Sequence, residues 1–171
     1  MSNKLTAPPA FRSGAKKRKW AKGVAAKVQG FVQMYVYGPS GKTMKMVDFK
    51  PANVINGIRV GLAFQEIDAL RKSLDVPMQS LAAKLGISKA TLQRRKTRGR
   101  FDPAESDRLL RFARLMGKAV EVMESQETAR RWLNSPQAGL GGAIPLDYAE
   151  TEIGAREVED LLGRIEHGVY S

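Results

Sequence analysis

The sequence predicts an all-α fold in three parts: a basic N-terminal extension, a helix-turn-helix core and a helical C-terminal domain. Three observations carry that prediction. Apolar residues recur at i, i+3, i+4 and i+7 from Asn56 onward, the period of a helix with one buried face. Capping and breaking residues cut that pattern into pieces of helix length. Charge also segregates along the chain, with 11 Lys/Arg against 1 acid in residues 1–50, 14 against 7 in 51–123, and 4 against 9 in 124–171. Those three segments are the expected domains.

Residues 1–30 read as a mobile arm, because the block Lys16-Lys-Arg-Lys-Trp20 has no helical or strand period and its like charges repel. Phe31–Tyr37 is rich in β-formers and ends at Gly38-Pro39, so a short strand is expected there. Gly38-Pro-Ser-Gly-Lys-Thr43 resembles a phosphate loop, but Val36 stands where the first glycine is required. The loop is too short to wrap a phosphate, and a basic turn is the better reading.

Val60, Ala63, Phe64, Ile67, Leu70 and Leu74 then line one face of a predicted helix that Pro77 ends. A short helix follows over Met78–Leu85, with Gly86 as its left-handed stop. Ser88 caps the next helix, which runs through Thr91, Leu92 and Arg95. Asp102-Pro103-Ala104-Glu105 is a dense start signal, with a cap, a proline at the first helical position and a glutamate at the third. The long helix behind it buries Leu109, Phe112, Ala113, Met116, Val120 and Met123. Ser125–Asn134 forms another helix, with Ala129, Trp132 and Leu133 inward. Pro136, Gly139, Gly141, Gly142 and Pro145 mark a loop. A last helix spans about Ala155–Glu166, with Val158, Leu161, Leu162 and Ile165 on one side and Gly168 as its stop.

Composition narrows the function. Hydrophobic residues make up 43% of 171, enough for a core, and no run approaches the roughly 18 apolar residues of a membrane helix. A cytoplasmic protein is expected. There is no cysteine, and the single histidine, His167, sits four residues from the end. That leaves no thiolate nucleophile, Ser-His-Asp relay or His-rich metal cluster. No catalysis, cofactor or metal is expected. The net charge of +12, concentrated in the front, suits a polyanion, whereas the acidic rear suits a different partner.

The stretch Met78–Arg98 fits a helix-turn-helix. Ala82 is the small residue at the helix contact, Gly86 makes the turn, and Leu81, Leu85, Ile87 and Leu92 seal the angle. Arg95 departs from the pattern, standing where a buried aliphatic is common. Ser88, Lys89, Thr91 and Arg94 are placed to reach base edges of DNA. Lys96, Arg98 and Arg100 are placed to reach phosphates, and Arg95 counts among the DNA-contacting candidates. The competing reading is a helical hairpin with a solvated basic face. Five Lys/Arg in Arg94–Arg100, beside a glycine turn at the right offset, favour DNA.

From Val54 onward the chain resembles the Xre/MbcA/ParS family of bacterial antitoxins. The residues that carry the likeness are Gly86-Ile-Ser-Lys-Ala-Thr-Leu-Gln-Arg-Arg95, Glu105-Ser-Asp-Arg-Leu-Leu-Arg111 and the C-terminal block. That block includes Ala129-Arg-Arg-Trp-Leu-Asn-Ser-Pro136, Leu140-Gly-Gly-Ala-Ile-Pro-Leu-Asp147, Thr151-Glu-Ile-Gly-Ala-Arg-Glu-Val158 and Leu162-Gly-Arg-Ile-Glu-His-Gly168. The resemblance implies an Xre-like helix-turn-helix followed by a toxin-binding domain. It implies a RES-domain toxin, of a class that consumes or transfers from NAD, as partner. A homodimer, a hetero-oligomeric complex with toxin, and repression of its own operator DNA are implied as well. Trp132, Ile165, His167, Val169, Tyr170 and Ser171 are the candidates for reaching the toxin. Two other readings remain open: a stand-alone transcriptional regulator with no toxin, and a nucleotide enzyme built on residues 38–43.

Overall fold

The computed structural model of the chain describes residues 31–32 and 51–168. Among these residues all regular structure is helical, and the long helix that begins at the Asp102 cap organises the rest. The elements in order are α1 Pro51–Val60, α2 Gln65–Leu74, α3 Met78–Lys84, α4 Lys89–Arg98 and α5 Pro103–Met123. They are followed by α6 Gln126–Leu133, a 3-10 turn Ala138–Leu140, α7 Pro145–Tyr148 and α8 Glu152–Glu166. The arm over residues 1–30 and the loop over 38–43 lie outside the described residues.

α5 is the spine because three of its sides carry apolar residues. Leu109, Phe112, Ala113, Leu115, Met116 and Ala119 are all buried. α1, α2, α6 and α8 all pack against α5. One continuous apolar cluster therefore runs from Leu62 through Leu115 to Leu162. Its start is fixed by a reciprocal cap: the Asp102 side chain accepts from the third helical N–H, while Glu105 Oε2 accepts from Asp102 N at 2.8 Å.

The sequence pattern expected one helix through Val60 and Leu74, and the structure breaks it into α1 and α2. Gly61 has φ +87°, and a Cβ there would lie 2.2 Å from the Phe101 carbonyl oxygen. The chain is extended here because residues 61–64 pair with the segment that leads into α5. Phe101 N donates to Leu62 O at 3.0 Å, and Phe64 N donates to Gly99 O at 2.9 Å. Val60 consequently points to solvent instead of joining the buried stripe.

Two smaller expectations also shift. Phe31 and Val32 are helical and buried, not extended, with both backbone N–H groups donated to the Glu66 carboxylate at 3.3 and 2.9 Å. The rest of that expected strand, residues 33–37, lies outside the described residues. The loop after Pro136 holds a 3-10 turn, and Pro145 opens α7 instead of merely breaking structure. α8 starts earlier than Ala155, because Thr151 Oγ1 accepts from Gly154 N at 3.0 Å and caps it.

Candidate functional site

α3 and α4 form the bent pair that the glycine spacing predicted. Gly86 adopts φ +66°, and Gly86 N donates to Ala83 O at 2.8 Å. Leu81, Ala82, Leu85 and Ile87 are buried in the angle between the helices. Ser88 then accepts from Thr91 N at 3.2 Å, which satisfies an N-terminal donor of α4. These contacts aim the two helices, and with them the outer face of α4.

That face is cationic and solvent-exposed. Lys89, Arg94, Lys96 and Arg98 are all exposed, as are Ser88 and Gln93. None of these four cations has an ion-pair partner among the described residues. An open groove on the outside of the bend is lined by Gln79, Ala83, Gly86, Lys89, Ala90 and Gln93. Unpaired cations on a helix beside a wide groove are suited to a phosphate-lined duplex. Thr91 contributes less than the sequence implied, because it is partly buried and its Oγ1 accepts from Ser88 Oγ at 3.0 Å. Gln93 was missed, though its position one turn beyond Lys89 was readable in the sequence. Arg100 is partly committed elsewhere, its Nη1 donating to Gly61 O at 2.8 Å.

Arg95 requires a correction. It was placed among the DNA-contacting residues, but its side chain points inward and is 5% exposed. Arg95 Nε donates to Glu105 Oε2 at 2.7 Å, Nη2 donates to Glu105 Oε1 at 3.1 Å, and Asp102 completes the cluster. The position is an inward one, as the usual aliphatic there indicates, and the charge is neutralised by α5 instead of by DNA. Burial pushes the Glu105 carboxyl up. The hydrogen bonds from Arg95 and Asp102 N, with the charges of Arg95 and Arg108, outweigh burial and hold it below its ordinary value. The effect is to tie the last turns of α4 to the first turn of α5, so the exposed cations keep a fixed pose.

The C-terminal elements are set against the same spine. Arg111 Nε lies 2.9 Å from Glu152 Oε2, and Arg114 Nε donates to Glu159 Oε1 at 2.7 Å, so α5 straps α8 along its length. Val158 and Leu162 face inward. α6 is tied to the end of α2, with Asn134 Nδ2 donating to Leu74 O at 3.1 Å and Arg130 Nε donating to Ser73 O at 3.3 Å. α7 reaches the helix-turn-helix itself, since Asp147 and Glu150 both face the Lys84 ammonium at the end of α3.

Of the tail candidates, Trp132 is partly buried and packs on the core, Ile165 is partly buried, and His167 is exposed. Val169, Tyr170 and Ser171 lie outside the described residues. Sequence reasoning overlooked Tyr148 and Ile153, which are 42% and 77% exposed. Both flank the corner between α7 and α8. No group of metal-binding side chains occurs among the described residues, and no helix there is long and apolar enough to cross a membrane.

Two family models match the chain. An antitoxin Xre-like helix-turn-helix domain covers residues 54–114, and an antitoxin Xre/MbcA/ParS C-terminal toxin-binding domain covers 118–168. An "Antitoxin Xre" of Yersinia enterocolitica is 39% identical over 120 residues, spanning 69% of this chain and 81% of that protein. An "Antitoxin Xre" of Photorhabdus laumondii is 41% identical over 75 residues, 43% of this chain and 51% of its own length. A "Prs ADP-ribosylating antitoxin" of a Sphingobium species is 24% identical over 131 residues, 71% of this chain and 82% of the relative.

Proposed function

The chain belongs to the Xre antitoxin family, and from that premise we propose that it neutralises a RES-family, NAD-targeting toxin and represses its own operon. Residues 51–123 carry the DNA-binding work and residues 124–171 grip the toxin. On the DNA side, Ser88, Lys89, Gln93 and Arg94 read base edges, Thr91 supports the Ser88 cap, and Lys96 and Arg98 hold phosphates. On the toxin side, Trp132 shapes the docking domain, and Ile165, His167 and the tail Val169–Ser171 enter the toxin cleft. The working form is a homodimer in the cytoplasm that assembles with toxin into a hetero-oligomer. The observation that carries this reading is the exposed, unpaired cationic face of α4, held in place by a buried Arg95–Glu105 pair. A face of this kind is suited to a polyanion.

Co-expression with the neighbouring reading frame tests both halves. Wild-type chain is expected to rescue growth, to co-purify with the toxin, and to bind its upstream DNA. Arg94→Ala is expected to lose about 1–3 kcal/mol of discrimination between operator and unrelated DNA, while growth rescue survives. Equal loss on all sequences would remove Arg94 from base reading. A chain that binds its operator but rescues no growth would be a regulator without a toxin.

A further inference from the structure

α8 is held by one side and presents the other. Arg111 and Arg114 strap it to α5 through Glu152 and Glu159, and Ala155, Val158 and Leu162 are buried beneath it. The helical period then puts Ile153, Glu157, Asp160, Arg164 and His167 on one outward stripe, at i, i+4, i+7, i+11 and i+14. Glu157, Asp160, Arg164 and His167 are exposed along with Ile153, and none has an ion-pair partner among the described residues. The stripe begins at an apolar corner and ends where the tail begins.

The corner is built, not incidental. A Cβ at Gly154 would lie 1.8 Å from the Tyr148 carbonyl oxygen, so only glycine lets α8 start so close to the end of α7. Tyr148 at the end of α7 and Ile153 in the first turn of α8 flank that close approach, and both are exposed. An isoleucine 77% exposed in the first turn of a strapped helix adds nothing to the core. Inside the segment that matches a toxin-binding domain, these two are the large apolar residues most open to solvent.

We propose that the outer stripe of α8 is a docking face. It would lie in a groove of the toxin, with Ile153 and Tyr148 seated in an apolar socket and Glu157 and Asp160 meeting basic side chains beside it. The proposal rests on the antitoxin reading and adds to it a second point of grip, a helix length away from the tail. A helix in a groove uses spaced anchors of this kind, and a central apolar anchor dominates such an interface. The acidic members of the stripe fit a basic rim.

The test is affinity for the co-expressed toxin with Ile153→Asp and, separately, with Glu157→Lys combined with Asp160→Lys. Aspartate in the first turn of a helix is favoured by the helix dipole, so Ile153→Asp is expected to fold. It is expected to weaken toxin binding about thirtyfold while operator binding and melting temperature hold. The double reversal is expected to slow association and make it less sensitive to salt. Unchanged toxin affinity in both variants overturns the docking face while leaving the antitoxin reading intact. Failure of wild-type chain to bind the toxin removes the antitoxin reading itself. Loss of self-association, with toxin binding untouched, would assign the face to a second copy of the chain and also overturn the proposal.

Discussion

α4 and α8 are both laid against α5, yet the spine holds them by opposite means. α4 is fixed by a buried charge, with Arg95 at 5% side-chain exposure against Glu105 at 8%. α8 is fixed by more open pairs, Arg114 at 36% against Glu159 at 24% and Arg111 at 12% against Glu152 at 47%, over an apolar underside. The buried pair constrains direction more tightly, because a desolvated Arg–carboxylate fork has few other arrangements. The more open pairs constrain it less. The difference teaches that the helix with the cationic outer face is held for aim, and α8 is held for attachment.

The sharpest way to break that comparison is to remove one acid from each side. Glu105→Ala leaves Arg95 buried without its main partner, and is expected to lower stability by about 3 kcal/mol or more. Glu159→Ala cuts a partly solvated pair and is expected to change stability by less than about 1 kcal/mol. Urea unfolding of both variants checks this, and equal losses would end the distinction.

Acid should test the buried pair directly. The Glu105 carboxyl is held below its ordinary value of 4.5 in the folded chain. Its contribution is therefore complete above that value and is lost as pH falls through the lower folded one. Operator binding is expected to stay flat between pH 5.5 and 7.5, roughly, and the fold to weaken only in the acid range below the ordinary glutamate value. Glu105→Ala is expected to flatten that acid-side loss in urea melts taken across pH. A loss of the same steepness in the variant would clear Glu105 of it.

Much of the architecture was legible because it was written in local signals. Asp102-Pro103-Ala104-Glu105 gave the start of α5, Gly86 gave the turn and Ser88 the cap, and all three depend on neighbours in sequence. The break at Gly61 was not legible from apolar spacing. It depends on Phe101, 40 residues away, whose carbonyl occupies the space of a Cβ. Arg95 failed for the same reason: its partners lie on the next helix, and a cation in a basic run looks like its neighbours. The corner at Tyr148 and Ile153 was hidden differently. Exposure is a property of packing, and Ile153 lies ahead of the helix that the sequence starts at about Ala155.

The finest separation comes from the caps. Ser88 accepts from Thr91 N at the head of α4, and Thr151 accepts from Gly154 N at the head of α8. Each cap satisfies one N-terminal donor, so Ser88→Ala and Thr151→Ala are each expected to lower stability by about 1 kcal/mol. Their consequences should nevertheless diverge. Ser88→Ala frays the end of α4 that carries Lys89, and operator affinity is expected to fall while toxin affinity holds. Thr151→Ala loosens the first turn of α8 that carries Ile153, and the opposite pattern is expected. Calorimetric melts and the two binding assays, run on the same preparations, decide between separable halves and one cooperative unit. Should each variant weaken both activities in proportion to its melting temperature, the continuous core through α5 governs both faces, and neither helix is held for a purpose of its own.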